Sequence, residues 1–81
     1  MTNLEKYKSV FKKTFNVKEE VLDETFTFKD VKVWDSVAHL SLISELEDCF
    51  DVMFEADDIL HYGSYLNGIE ILKGYGVDFE E

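Results

Sequence analysis

An acidic loop turns into a long amphipathic helix within the stretch Val33-Trp34-Asp35-Ser36-Val37-Ala38-His39-Leu40. Asp and Ser are both favoured at the N-cap of a helix, because their short side chains place an oxygen where it accepts a hydrogen bond from a free backbone N–H. Asp35 and Ser36 are therefore both candidates for the cap. With either cap, Ser36 lies at the junction between loop and helix.

The residues after Ser36 have the period of a helix that ends near Phe50. At ~100° per residue, one face of this helix is an apolar stripe of His39, Leu42, Ile43, Leu46, Cys49 and Phe50. The opposite face carries Val37, Ser41, Ser44 and Asp48. Val37 is apolar, yet it points away from the stripe and lies beside Ser36. A single exposed apolar residue is ordinary, but it also suits a docking surface next to a reactive hydroxyl.

A first helix is predicted over residues 3–15, with Asn3 as its N-cap and Asn16 as a left-handed stop. Residues 16–34 follow as a long connection. Apolar and polar residues alternate in 26–28 and 31–33, as in short strands. No Asn-Gly or Asp-Gly turn joins them, so the pattern favours a long loop pinned by buried aromatic residues, with a short helical turn within 17–22.

The last third of the chain predicts two more helices. A short third helix over 56–62 would be anchored by Ile59 and Leu60, and Ser64 would cap a fourth helix that Gly74 ends. Gly68 lies inside the fourth helix, where glycine is less favourable than alanine. Either a close helix–helix contact requires a glycine there, or the helix tolerates its cost. Residues 75–81 are predicted to be a loosely held acidic tail. The expected fold is all-α, a single domain over 1–81 that forms a small four-helix bundle.

Composition limits the class of protein. The chain has 81 residues, no Pro and a single Cys, so an internal disulfide is excluded and a reducing compartment is indicated. The N-terminus has no apolar segment of the kind found in signal peptides, and no apolar run approaches membrane-spanning length. We therefore expect a cytoplasmic protein.

The net charge of −10 is unevenly distributed. Residues 1–32 hold seven lysines and six acids, whereas residues 33–81 hold one lysine and twelve acids. Nucleic acids and anionic membrane surfaces are poor partners for such a chain, because binding to phosphate requires basic residues. An acidic face instead attracts basic patches on proteins, and it also serves solubility.

Two other groups of side chains could carry chemistry. Ser36 and His39 lie three residues apart and could pair as nucleophile and base of a small hydrolase, but no orienting carboxylate is evident and His39 falls on the core stripe. Asp51, Glu55, Asp57 and Asp58 could gather a hard cation weakly. Acids near the start of a short helix are the better explanation, and we expect neither a metal site nor catalytic residues.

Asp35-Ser36-Val37, followed by the periodic helix and the acidic segment 45–52, resembles the Asp-Ser-Leu region of acyl carrier proteins. In that family the serine carries a 4′-phosphopantetheine arm. The resemblance covers nearly the whole chain, including the long first loop, in which Phe26 or Phe28 and the pair Asp30-Val31 match the family's pattern. The Trp-Asp-Ser form is similar to stand-alone carriers of specialised pathways more than to housekeeping fatty-acid carriers.

The resemblance implies a non-enzymatic, monomeric carrier of acyl thioesters in fatty-acid or specialised biosynthesis. Ser36 would be the attachment site and Asp35 its motif partner, and the docking face would comprise Val37, Leu40, Ser44, Glu47 and Asp48. The implied partners are a phosphopantetheinyl transferase, which uses coenzyme A and its own divalent metal, and acyl- or aminoacyl-loading and acyl-transferring enzymes with basic docking patches. Neither nucleic acid nor membrane is implied.

The sequence departs from the family at several positions. Val37 replaces the usual Leu, and Ala38 and Ser41 stand where fatty-acid carriers often have acids. These changes bear on which enzymes are the partners. An aminoacyl or peptidyl carrier of the same fold remains open, and so does an unmodified four-helix interaction module.

Overall fold

Four α-helices make up the computed structural model, which describes residues 2–79. They are α1 (Asn3–Phe15), α2 (Ser36–Phe50), α3 (Ala56–His61) and α4 (Tyr65–Gly74), and a single 3₁₀ turn, Glu19–Val21, lies in the first loop. Within residues 2–79 there is no β-strand, only an isolated bridge between Thr27 and Ser64. The all-α prediction is confirmed, as are the bounds predicted for α2.

The ends of α1 have specific causes. Thr2 is the N-cap, because its side chain accepts a hydrogen bond from the backbone N–H of Glu5 over 3.1 Å. The prediction of Asn3 as the cap is therefore wrong by one residue. Asn16 ends α1 as predicted, in the left-handed conformation with φ 54° and ψ 51°, which Asn tolerates better than most residues.

The core is largely aromatic. Side chains from α1, α2, α4 and the first loop meet there, and the largest fully buried ones are Trp34, Tyr7, Tyr62, Phe11, Leu42, Leu46 and Leu72. The aromatic residues Phe26 and Trp34 pin the long loop to this core, as predicted, and Leu22 is buried with them. Phe26 is buried, whereas Phe28 keeps 44% of its surface exposed. The loop thus runs over the core and brings Trp34 beneath the start of α2.

Gly68 of α4 lies against two buried tyrosines, so the close helix contact is the correct explanation of this glycine. A Cβ there would overlap the hydroxyls of Tyr7 and Tyr62. These hydroxyls are 2.7 Å apart, and Tyr7 donates to the carbonyl of Tyr65 over 2.6 Å. The absence of a side chain at Gly68 lets α1, α4 and the end of α3 approach each other.

Two predictions for the C-terminal part are wrong. Leu60 does not anchor α3, since 79% of its surface is exposed and only Ile59 packs on the core. The tail is not loosely held over 75–79, because Tyr75, Val77 and Phe79 all pack against the core. Gly74 is the last residue of α4 and Tyr75 is its cap. Residues 80–81 of the predicted tail lie outside the described residues.

Among the helices that the structure describes, none has the length and apolar character needed to cross a membrane.

Candidate functional site

Asp35, rather than Ser36, caps α2. Its Oδ1 accepts a hydrogen bond from the backbone N–H of Ala38 over 2.9 Å, and its carbonyl accepts from the N–H of His39. Ser36 is the first residue of the helix and is exposed. Among residues 2–79 no hydrogen bond to its side chain is found, so the hydroxyl is free to react with a molecule from solvent.

The N-terminus of α2 also sets the electrostatics around Ser36. The first backbone N–H groups of a helix lack intrahelical partners, and the aligned peptide dipoles place partial positive charge at this end. The first turn of α2 holds no acidic residue, but the Asp35 carboxylate at the N-cap accepts the N–H of Ala38 and offsets part of this charge. A phosphate group attached at Ser36 would lie at the positive end of the helix, where the backbone N–H groups that Asp35 leaves free favour it.

A pocket of about 390 Å³ opens beside Ser36. It lies between the first turns of α2, the side of α3 and the first loop, and it is lined by Phe28, Ser36, His39, Leu40, Ile59, Leu60, Tyr62 and Gly63. Leu40 and Leu60 form its rim and are 65% and 79% exposed. Apolar side chains exposed around one concave surface indicate a place where another apolar group binds.

His39 joins three segments at the floor of this pocket. Its Nδ1 lies 3.1 Å from Trp34 Nε1, and its Nε2 lies 2.9 Å from the carbonyl oxygen of Ile59. The indole N–H of Trp34 is only a donor, so Nδ1 of His39 accepts and Nε2 carries the proton that is donated to Ile59. The imidazole therefore connects the loop before α2, α2 itself and α3.

The same hydrogen bonds bear on the predicted Ser36–His39 pair. A general base needs a free lone pair within reach of the hydroxyl proton. In His39 the only lone pair in the ring plane points to Trp34. The arrangement offers Ser36 no base from this residue, so a hydrolase built on the pair is not supported.

The residues predicted for docking are separated by the structure into two groups. Val37, Leu40, Ser44 and Asp48 are exposed along α2, and Val37 has 75% of its surface exposed. Glu47 is half-buried instead, and its Oε2 accepts a hydrogen bond from the backbone N–H of Phe54 over 3.0 Å. Glu47 thus fixes the α2–α3 connection, which leaves it less available to a partner.

Among the acids around α3, the carboxylate of Asp58 is engaged in a hydrogen bond. Tyr75 donates a hydrogen bond to Oδ2 of Asp58 over 2.5 Å and accepts one from the backbone N–H of Glu55 over 2.8 Å. The bond to Asp58 raises the pKa of Tyr75. In the described part of the chain, no group of three metal-ligating side chains comes together, so the four acids considered for a cation do not form such a site.

The pocket was not predicted from the sequence, although one signal pointed to it. His39 is polar and lies on the apolar stripe of α2, five residues after the only Trp. A histidine at such a position needs buried hydrogen-bond partners, and a nearby Trp N–H that also needs one is a natural candidate. Nothing in the local pattern indicated that Ile59 and Gly63 would complete the site.

Comparisons of the chain with protein-family models, with curated proteins and with solved structures each found no match. Any function assigned to the chain therefore depends on the geometry at Ser36 and on the residues that carry the resemblance.

Proposed function

We propose that this chain is a carrier protein of the acyl-carrier type, with a 4′-phosphopantetheine arm attached to Ser36. One observation supports this most directly: the Ser36 hydroxyl is exposed and uncommitted at the head of α2, because Asp35 performs the capping. A hydroxyl at the helix head that is not used for capping stays accessible to a modifying enzyme. The four-helix fold with a short α3 and a long first loop agrees with the same proposal.

The residues present fit such an arm. Ser36 Oγ would form the new bond to the β-phosphorus of coenzyme A, the phosphoanhydride bond would break, and adenosine 3′,5′-bisphosphate would leave with the electron pair. The hydroxyl proton would pass to a base of the transferase, because His39 has no lone pair to receive it. The α2 N-terminus would then favour the resulting phosphodiester charge.

The arm would supply a thiol that holds an acyl group as a thioester, and the protein would supply attachment and recognition. Tethering raises the effective concentration of the cargo at each partner enzyme. Val37 and Leu40 offer apolar contacts beside Ser36. Asp48 on α2 and Asp57 on α3 are exposed acids that would attract basic patches on a transferase or on loading and acyl-transferring enzymes.

An unmodified interaction module is the second candidate. The observation that favours it is the exposure of the apolar side chains Val37, Leu40, Met53 and Leu60. Leu40 and Leu60 lie at the same pocket, which suits protein contacts without any modification. An aminoacyl or peptidyl carrier shares both the fold and the serine with the first proposal and differs only in cargo.

Incubation of the parent protein with coenzyme A, Mg²⁺ and a broad-specificity phosphopantetheinyl transferase, followed by intact mass, separates these candidates. The carrier predicts the addition of one phosphopantetheine to the parent and none to Ser36→Ala. A folded parent that stays unmodified with several transferases would favour the interaction module.

A further inference from the structure

We propose that the pocket beside Ser36 selects an uncharged aromatic acyl group as cargo, which it holds at the protein surface instead of admitting a long linear chain to the core. This inference rests on the proposed function, since it concerns the group that the arm on Ser36 would carry. It goes beyond that function by naming the chemical class of the cargo from the side chains that line the pocket.

The floor of the pocket is closed to the core. Trp34 and Tyr62 are almost fully buried, and their rings lie 6.2 Å apart. Trp34 is held by His39, and the hydroxyl of Tyr62 is held by that of Tyr7. A chain that passed between them would have to break these buried hydrogen bonds and displace close-packed rings, which is unfavourable.

Phe54 packs against Tyr62, and the centroids of the two rings are 6.2 Å apart. It too is buried. The space into which a long chain would have to extend is therefore filled with aromatic side chains, and the cargo has to stay on the outer side of Tyr62.

The rings around the pocket suit an aromatic guest. Phe28 and His39 are 5.8 Å apart at an interplanar angle of 85°, and His39 and Tyr62 are 6.2 Å apart at 77°. Rings in perpendicular pairs present both faces and edges, and a further ring packs favourably at centroid separations of about 4.5–7 Å. A linear alkyl chain gains no such directional contact.

Size and charge point to the same class. A dry cavity of about 150 Å³ is enough to bind benzene, so a pocket of about 390 Å³ holds a substituted ring and the thioester next to it. No Lys, Asp or Glu lines the pocket, and both nitrogens of His39 are engaged. A charged acyl group would therefore lose its hydration without gaining a partner.

The test loads Ser36 with three arms, using the transferase and the matching acyl-coenzyme A: 4-fluorobenzoyl, heptanoyl and hexadecanoyl. The first two have the same number of carbons and differ in the ring. Intact mass verifies loading in every sample. The readouts are the Tm relative to the unacylated arm, the backbone amide shifts of Phe28, His39, Ile59 and Gly63, and the ¹⁹F shift of the aromatic cargo.

We expect the 4-fluorobenzoyl form to raise the Tm by about 4 °C or more and to shift these amides, with a smaller effect from heptanoyl and no further gain from hexadecanoyl. Leu60→Ser should reduce the effect of the aromatic cargo. Met53→Ser is the matched control, since Met53 is exposed to 82% and Leu60 to 79%, but only Leu60 lines the pocket.

Equal effects of the aromatic and heptanoyl arms would overturn the aromatic selectivity. A larger effect of hexadecanoyl, with amide shifts at core residues such as Phe11 and Leu46, would show that a chain enters the core and would overturn the closed floor. Either result leaves the proposed function standing, because loading is established by mass. If Ser36 accepts no arm, the proposed function fails, and this inference fails with it.

Discussion

Trp34 donates the hydrogen bond from its indole N–H to Nδ1 of His39 across 3.1 Å, beneath the first turns of α2. The two rings lie nearly parallel, at an interplanar angle of 26°. This contact fixes the tautomer of His39, and the remaining ring N–H holds the carbonyl of Ile59 in α3. The floor of the pocket and the position of Ser36 thus depend on one imidazole that connects three segments.

Replacement of His39 by Leu should therefore destabilise the fold. The substitution leaves the N–H of Trp34 and the carbonyl of Ile59 without partners in a partly buried site, which costs about 2 kcal/mol in the free energy of unfolding. Urea unfolding followed by Trp34 fluorescence measures this change. His61→Leu is the control, since His61 and its hydrogen bond with the carbonyl of Asp57 are exposed to water, and it should change stability by less than about 0.5 kcal/mol. Equal effects of the two substitutions would show that the hydrogen bonds of His39 to Trp34 and Ile59 do not stabilise the fold.

Asp35 and Ser36 should differ in their contributions to stability. Asp35→Ala removes the cap of α2 and should cost about 1 kcal/mol. Ser36→Ala removes a hydroxyl without a hydrogen bond and should change the free energy of unfolding by no more than about 0.5 kcal/mol. Chemical denaturation of both variants measures the two changes in the free energy of unfolding. The opposite order would make Ser36 the cap and would weaken its assignment as an attachment site.

Gly68→Ala should destabilise the protein although Ala is the better helix former. A Cβ at this position overlaps the hydroxyls of Tyr7 and Tyr62, and such overpacking costs about 2 kcal/mol, more than the ~1 kcal/mol gained in helix propensity. Gly74→Ala is the matched control in the same helix, because no atom lies within 4 Å of its added Cβ. It should be neutral or slightly stabilising in thermal unfolding. Similar losses at both glycines would contradict the tight contact at Gly68.

The buried tyrosines should make stability fall at high pH. Burial raises the pKa of Tyr7 and Tyr62 well above 10, whereas in the unfolded chain these groups ionise at about pH 10. The folded state therefore binds more protons than the unfolded state above that pH. The contribution of the pair is complete below about pH 10 and is lost progressively as the pH rises further.

Urea unfolding at several values between pH 8 and pH 11 would measure this dependence. Tyr62→Phe removes one of the buried hydroxyls and should make the decline less steep than in the parent protein. The lysines are the same in both proteins, and so are Tyr65 and Tyr75, whose pKa values are also raised. The difference between the two slopes therefore reports on Tyr62. Identical slopes would show that Tyr62 is not held in its neutral form by the fold.

Much of this fold could be predicted because its signals are local. The apolar stripe of α2 gives its length, Ser64 marks the start of α4, and Asn16 marks the end of α1. The exposure of Leu60 could not be predicted, because α3 has only six residues. A helix of fewer than two turns does not define its buried face by period.

The pocket and the tail could not be predicted in the same way. The pocket requires Phe28, Leu40, Ile59 and Gly63 to meet, and their sequence separation gives no local pattern. In the tail, Tyr75, Val77 and Phe79 alternate with Gly76 and Asp78. The alternation lets the three apolar side chains pack, partly buried, against the core, whereas the acidic composition of the tail favours a solvated segment. Asp35 and Ser36 were equally suitable caps by residue type, and only the backbone geometry distinguishes them.

Peptide mapping by mass spectrometry, after incubation with coenzyme A and a phosphopantetheinyl transferase, addresses the role of Ser36 most directly. Ser44→Ala is the matched control for Ser36→Ala, since Ser44 is an exposed serine on the same helix, and circular dichroism verifies that both variants are folded. We predict one phosphopantetheine on the peptide that contains Ser36 in the parent and in Ser44→Ala, and none in Ser36→Ala. Modification that persists in Ser36→Ala, or a folded parent that accepts no arm, would contradict the assignment of Ser36 as the attachment site.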